Sequence, residues 1–417
     1  MEAIATSVEI TPQTLLSTAC GGTGNTPSIA VATPLEANVL GFRDNQQTLI
    51  VVSVDWFFAS PSLRSRILRR CAGFLDDAGL FIVASHTHAS PNPDATKIGF
   101  SKVDFEYVAW AEDIIANCVE KALCFGEWRC VQLRYSATPC DCAIHRRRQI
   151  WSRAGFGFRR LVSLFPNPDG PRDRELRLLR VDDQEGGVLA IIWGVSCHPT
   201  EWPQSRELSS DYPGGVRQAL RARIGAAIPI IFLQGFCGDL RPPSIGRWPK
   251  QGTWHRNLLK FASSLLNGPI FVGFTQLEYQ LWMNNIAACA LKAFGDAADE
   301  PRLHTKLLVQ RNSIDLSSLG LSGEISRLTL HSFEFDEKLR IVGISAEVCW
   351  EYAKLIRRAL PGKTIWPVGY IDTVFGYLPT DAMLPESGYE VDGFKKAFGI
   401  TGKFVPNLEE IITKALP

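Results

Sequence analysis

The fold of this chain is constrained most by a recurring pattern. A short run of β-branched and apolar residues stops on an ionisable side chain and is followed by an amphipathic helical stretch. Thr48 to Trp56 (TLIVVSVDW) delivers Asp55 to its carboxyl end. Pro61 then stands near the start of a helical pattern running to about Ala78, a position proline tolerates. Phe81 to Ala84 (FIVA) is the next apolar run, and it stops on Ser85-His86-Thr87-His88. Side chains alternate along a strand, so His86 and His88 are expected on one face of it. A long helical pattern follows from Asp104 to about Cys124. This alternation predicts an α/β fold of layered, mixed β-sheets flanked by helices. In such folds ligands collect at the carboxyl ends of strands, where Asp55, His86 and His88 all stand.

The remainder of the chain keeps the theme. Val131 to Thr138 reads as a strand, and residues 142–148 lead into a loop. Residues 155–173, rich in Gly, Pro, Phe and Arg, read as a long excursion. A hairpin is expected at Leu176–Val181 and Val188–Val195, the second strand running into Cys197-His198-Pro199. Pro213-Gly214-Gly215 opens a helix, Ile228 to Leu233 is a buried strand, and Asp239 lies just beyond it. Residues 242–257 lack periodicity and read as loop. A helix is expected from Phe274 to about Ala298. After Pro301 come strands near 305–315, 327–336 and 340–346, then Glu347, a helix over 349–360, a strand at 365–369 and a terminal helix near 407–416. No repeat or linker is evident. One domain over 1–417 is expected, with 300–417 open to being a sub-domain packed on the rest.

Composition excludes several classes. Apolar residues are 46% and charged ones 21%, a balance that argues against long disordered segments. A formal net charge of +1 implies no overall attraction to nucleic acid, so no nucleic-acid partner is expected. No stretch approaches the ~20 apolar residues a membrane span needs, and no membrane-docking helix is evident. Residues 1–12 lack a basic segment followed by an apolar core, so no export signal is visible. The eleven cysteines include no C-x-x-C pair and read as reduced thiols, with Cys140-Asp141-Cys142 a minor metal-binding alternative. Together these point to a cytoplasmic enzyme.

Three histidines and one glutamate stand at strand ends: His86, His88, His198 and Glu347. Two imidazoles and a carboxylate would suit a catalytic zinc with a position left for water. The residues alone also fit blander readings. An H-x-H pair is as often two hydrogen-bonded loop histidines, and a glutamate before a helix is more simply a surface acid or a helix-start charge.

The ordered succession ATSVEITP, VVSVDW, SHTHASP, IHRRR, CHPT with SSDYPGG, QGFCGDLRP, the Glu347 strand end and GYLPT with ESGYE resembles the neutral/alkaline, non-lysosomal ceramidase family from about residue 5 to residue 393. The resemblance implies a ceramidase-type catalytic domain holding one zinc ion through His86, His198, Glu347 and Tyr389, with His88 and Arg146 contacting substrate. Tyr389 alone would read as a packing residue. The implied chemistry is metal-assisted amide hydrolysis. Arg146 or Tyr389 would steady the oxyanion, His88 would carry a proton to the departing amine, and Asp55 or Asp239 would orient a ligand histidine. Either aspartate fits a turn cap as well.

Two departures from the family matter. Its G-D-V-S-P-N is here Gly238-Asp239-Leu240-Arg241-Pro242-Pro243, so no serine nucleophile stands there; Arg241 would suit an anionic substrate or a solvated loop. The chain also ends soon after Tyr389, leaving no room for the C-terminal β-sandwich of larger secreted ceramidases. The expected substrate is therefore a small soluble N-acyl or amide metabolite rather than ceramide, with no stable membrane anchoring. A same-scaffold enzyme acting on esters or forming an amide, and a catalytically retired ligand binder, are the alternatives. Oligomeric state is not legible.

Overall fold

The computed structural model describes residues 1–20, 26–154, 157–225, 227–250, 254–303, 306–336 and 338–417. Among these, the β-branched runs assemble into two principal sheets. The larger has eight strands in the order Ile230–Phe232, Val188–Gly194, Glu175–Asp183, Arg129–Pro139, Glu2–Glu9, Glu36–Arg43, Thr48–Val54 and Leu80–Ala84. It curls, so that its Ile230–Phe232 edge returns to Ser53, whose Oγ donates to the Phe232 carbonyl at 2.8 Å. The smaller sheet orders Leu307–Asp315, Arg327–Phe335, Leu339–Ile344 and Thr364–Val368.

Alternation along the strands builds the layers. Val51, Phe81 and Val83 face inward and pack with Phe333, Ile341 and Trp366 of the smaller sheet. Their neighbours Ile50, Val52 and Ile82 face outward against the helices Leu63–Arg70 and Phe105–Phe125. The smaller sheet's other face, with Leu328, Leu330 and Ile344, packs toward Tyr352 and Ile356 of the helix Glu351–Ala359. The architecture is mixed α/β, as expected: two sheets face to face with helices outside.

Three pairs of neighbouring parallel strands, each joined through a helix, organise the site. They are Thr48–Val54 with Leu80–Ala84, Val188–Gly194 with Ile230–Phe232, and Leu339–Ile344 with Thr364–Val368. Their connecting helices are Leu63–Arg70, Asp211–Ile224 and Glu351–Ala359. The segment Gly369 to Asp372 stitches the three units. Gly369 N donates to Gln234 O, Tyr370 N to Ala346 O, and Asp372 N to Ile82 O, while Ala84 N donates to Tyr370 O.

Several expectations are corrected. The helix expected to reach residue 78 stops at Arg70, just before Gly73 turns the chain with a φ of 86°. Residues 144–148 are strand rather than loop: Ile144–Ala154 pairs antiparallel with Gly157–Asn167 in a long hairpin. The excursion expected over 155–173 is thus mostly the hairpin's return strand, residues 155–156 lying outside the described set. Its glycines and arginines hid an alternating pattern. The loop expected over 242–257 contains a short strand, Ile245–Gly246, and the start of an unforeseen helix, Trp254–Asn267; residues 251–253 are not described. Among the described residues no helix is long and apolar enough to cross a membrane.

Candidate metal centre

Each parallel unit contributes one group to a common point. His86 follows the strand Leu80–Ala84, but not by simple alternation: its φ is 62°, in the left-handed region. Positive φ is costly for a residue with a Cβ and gathers at functional sites. Here it turns the ring away from the strand's own faces, so the expected same-face placement of His86 and His88 on a strand does not hold. The two rings meet instead around a turn, with Nε2 atoms 3.4 Å apart.

The imidazoles are held by main-chain carbonyls. His86 Nδ1 lies 2.7 Å from Phe57 O. His198 Nδ1 lies 2.7 Å from Cys237 O and 3.0 Å from Leu240 O. With Nδ1–H donating outward, each Nε2 keeps its lone pair for the centre. Glu347 places Oε2 3.1 Å from His198 Nε2 and 3.5 Å from His86 Nε2. All three of these residues are about 1% exposed.

Burial drives the pKa values of His86, His88 and His198 well below the ordinary imidazole range. The nearby Arg146 guanidinium pushes His198 further the same way. Neutral imidazoles are the form that binds metal. The ring nitrogens of His86, His88 and His198 all lie within 4.8 Å of one another. Two lone pairs converging on one carboxylate oxygen in a dry site is an arrangement that a cation relieves, so this group can hold a metal ion.

Arg146, Tyr389 and Arg241 each have partners outside this convergence. Arg146, on the hairpin strand, is buried, donates from Nε to Glu390 at 2.9 Å, and stacks over the rings of Tyr377 and Tyr389 at 5.4 and 5.8 Å. Its Nη2 is buried without a hydrogen-bond partner. Tyr389 begins a π-helical turn, Tyr389–Gly393, and packs edge-on against Tyr377. Burial, with the Glu347 charge second, pushes its hydroxyl up to about 12. Arg241 pairs with Glu201 and lies over the Phe271 ring at 4.2 Å. That pairing already satisfies much of the guanidinium expected to be free for an anionic substrate, although its Nε has no partner.

The expectation that Asp55 or Asp239 orients a ligand histidine is corrected. Asp55 accepts from Glu36 N and from Arg217, tying the sheet to the helix Asp211–Ile224. Asp239 accepts from Trp350 N at 2.8 Å and faces His145 Nε2 at 3.3 Å. Main-chain carbonyls do the orienting, because the chain already doubles back beside each ring. The aspartates fix the segments that carry those carbonyls.

Tyr370 was missed by the sequence reading. Its hydroxyl donates to Glu347 Oε2 at 3.1 Å and lies 3.5 Å from His198 Nε2. Its ring lies 4.2 Å from that of His86. Its own φ is 58°. The available signal was position: Tyr370 stands two residues past a buried parallel strand, as His86 does. A cavity of about 190 Å³ opens over His88, bounded by Thr18, Cys20, Ala89, Thr200, Trp202 and Asp211 among others.

Carboxyl ends of parallel strands carrying buried, neutral histidines and a carboxylate define a mixed α/β protein with a metal-competent centre. Compared with solved structures, the fold is that of the neutral ceramidases. The crystal structure of neutral ceramidase from Pseudomonas aeruginosa matches with a TM-score of 0.72 and 14% identity, over 99% of this chain and 72% of that one. A structure described as ceramidase complexed with C2 matches with a TM-score of 0.72 and 12% identity, over 99% and 73%. No family model matches the sequence, and no curated protein matches it.

Proposed function

We propose that this protein is a zinc-dependent amidohydrolase that cleaves the N-acyl bond of a small metabolite with water. The reading is supported above all by the convergence of His86, His198 and Glu347, from three separate strand ends, on one dry point beside His88. On this proposal one zinc ion is held by His86, His198 and Glu347, with Tyr389 completing the set on the ceramidase pattern. Bound there, zinc supplies a Lewis acid that polarises the acyl carbonyl and acidifies water.

This chain's own residues do the rest. His88 reaches the centre with a neutral imidazole, the form that accepts a proton from the attacking water and passes it to the departing nitrogen. The products are then a carboxylic acid and an amine. Arg146 offers a fixed cationic donor to the developing oxyanion, a contribution of ~3 kcal/mol for a well-placed group. The wall of Phe57, Phe58 and Phe100 beside His86 and His88 limits water at the reacting bond.

The test is a paired screen of N-acyl amines and the matching esters with the zinc-loaded protein. Turnover of amides that is abolished in His88→Gln at unchanged metal content supports the proposal. Turnover of esters alone overturns the amidase assignment. Ligand binding with no turnover of either series would favour the retired binder.

A further inference from the structure

The helix Trp254–Asn267 is turned inside out relative to an ordinary surface helix. The side chains it buries are polar: Ser264 is 0% exposed and Asn257 9%. Its leucines face solvent. Leu259 is 73% exposed, Leu265 63%, Leu266 55% and Leu258 43%, with Trp254 at 63%. At helical spacing these five residues and Ala262 share one mostly apolar face, which the exposed His255 interrupts. Globular proteins rarely leave such a stripe uncovered unless something docks on it.

The surroundings continue the patch. Trp248 packs on Phe261 of the helix at 5.2 Å and is itself 46% exposed. At the helix's end Asn267 clasps the hairpin strand, accepting from Trp151 N at 2.7 Å and donating to Trp151 O at 3.1 Å. Trp151 is also exposed. Leucines on one stripe with three exposed tryptophans around it match the composition of helices that lie in a membrane interface.

Charge selects the partner. The hairpin, residues 144–167, carries six arginines and no acidic residue. Residues 241–270, which contain the helix, carry Arg241, Arg247, Lys250, Arg256 and Lys260, again with no acidic residue. Yet the whole chain is formally only +1. Inward-facing members of this set, such as Arg146 and Arg147, are paired with Glu390, and Lys250 pairs with Glu278. Arg159 and Arg160 are exposed on the hairpin next to the helix, while Lys260 is exposed on the helix flank away from the stripe. A second protein copy bearing the same cations would repel, whereas an anionic lipid surface would attract.

We infer that the helix Trp254–Asn267 and the hairpin Ile144–Asn167 form a docking surface for an anionic bilayer. The leucines and tryptophans enter the headgroup boundary and the cations contact acidic lipid headgroups. The same hairpin carries Arg146, whose charge bears on His88 and His198, and Arg241 begins the segment leading to the helix. This surface removes one of the grounds on which a freely soluble substrate was expected, the lack of a docking helix. The docking surface stands independently of the amidohydrolase reading.

The test separates the two. Full-length protein is sedimented with phosphatidylcholine vesicles and with vesicles in which roughly a quarter of the lipid is phosphatidylserine. Binding is expected only to the anionic vesicles and is expected to weaken as salt is raised. Leu258→Ser combined with Leu259→Ser and Leu265→Ser should reduce it about tenfold or more, as should Arg159→Glu combined with Arg160→Glu. His198→Ala, which addresses only the metal centre, should bind as wild type does. No binding to anionic vesicles, or equal binding by the leucine and charge variants, overturns the inference. So does a wild-type dimer that the leucine variant dissociates, which would make the stripe a self-interface.

Discussion

Tyr370 carries much at the scale of single residues. Its hydroxyl bonds the Glu347 carboxylate while its ring packs at a tilt against His86, so one side chain fixes two groups of the proposed ligand set. Tyr370→Phe should keep the ring contact and the fold but weaken zinc affinity about tenfold, as loss of a supporting hydrogen bond does at metal sites. Competition with a chromogenic chelator measures this, and an unchanged affinity would contradict the role. His86, His198 and Glu347 were legible in the sequence because each follows a buried apolar run. Tyr370 stands in the same kind of place, but a tyrosine after a strand is ordinarily a packing residue. The left-handed φ of His86 and of Tyr370 was not legible, since the backbone around the two residues imposes it rather than either side chain. Nor could spacing show that carbonyls of Phe57, Cys237 and Leu240 hold the rings, for every residue has a carbonyl.

Among elements, the loop that follows Ile230–Phe232 is pressed against the Glu347 strand. Gly238 N donates to Val348 O at 2.8 Å, and a Cβ on Gly238 would stand 2.5 Å from Glu347 O. Only a residue without a side chain permits that approach. Gly238→Ala should therefore destabilise the protein by about 1–3 kcal/mol and lower metal occupancy, because Cys237 and Leu240 hold His198. Urea denaturation followed alongside metal content checks it; wild-type stability with full occupancy would contradict the packing argument. The βαβ units could be read from the chain because apolar runs and amphipathic stretches alternate cleanly there. The hairpin and the helix Trp254–Asn267 could not. The hairpin's alternation is masked by arginines and glycines, and the helix presents its apolar stripe outward, against the rule by which buried faces are recognised.

For the whole molecule, the face-to-face sheets enclose a histidine remote from the centre. His331, on the strand Arg327–Phe335, has Nε2 2.7 Å from Ala78 O, and burial lowers its pKa to about 4. The folded state thus resists a proton that the unfolded chain accepts below about pH 6.5. Its contribution is fully present above that value and is lost as pH falls toward 4. With metal chelated in both proteins, wild type should lose about 2 kcal/mol more stability between pH 7 and pH 5 than His331→Gln. Parallel acid limbs in the two would contradict the assignment. The fold class was legible at this scale because two strand-rich regions and their helices leave few layered arrangements. The curl that brings the Ile230–Phe232 edge back to Ser53, and with it His198 toward His86, depends on contacts between residues far apart in the chain.

The central claim is that three strand ends from three parallel units meet on one metal ion. Its most direct test is metal content by inductively coupled plasma mass spectrometry on wild type, His198→Ala and Glu347→Gln, each checked for folding by circular dichroism. The account predicts about one zinc per wild-type chain and little in either folded variant. Folded variants that retain wild-type zinc, or a wild type that takes up none when zinc is supplied, would contradict it.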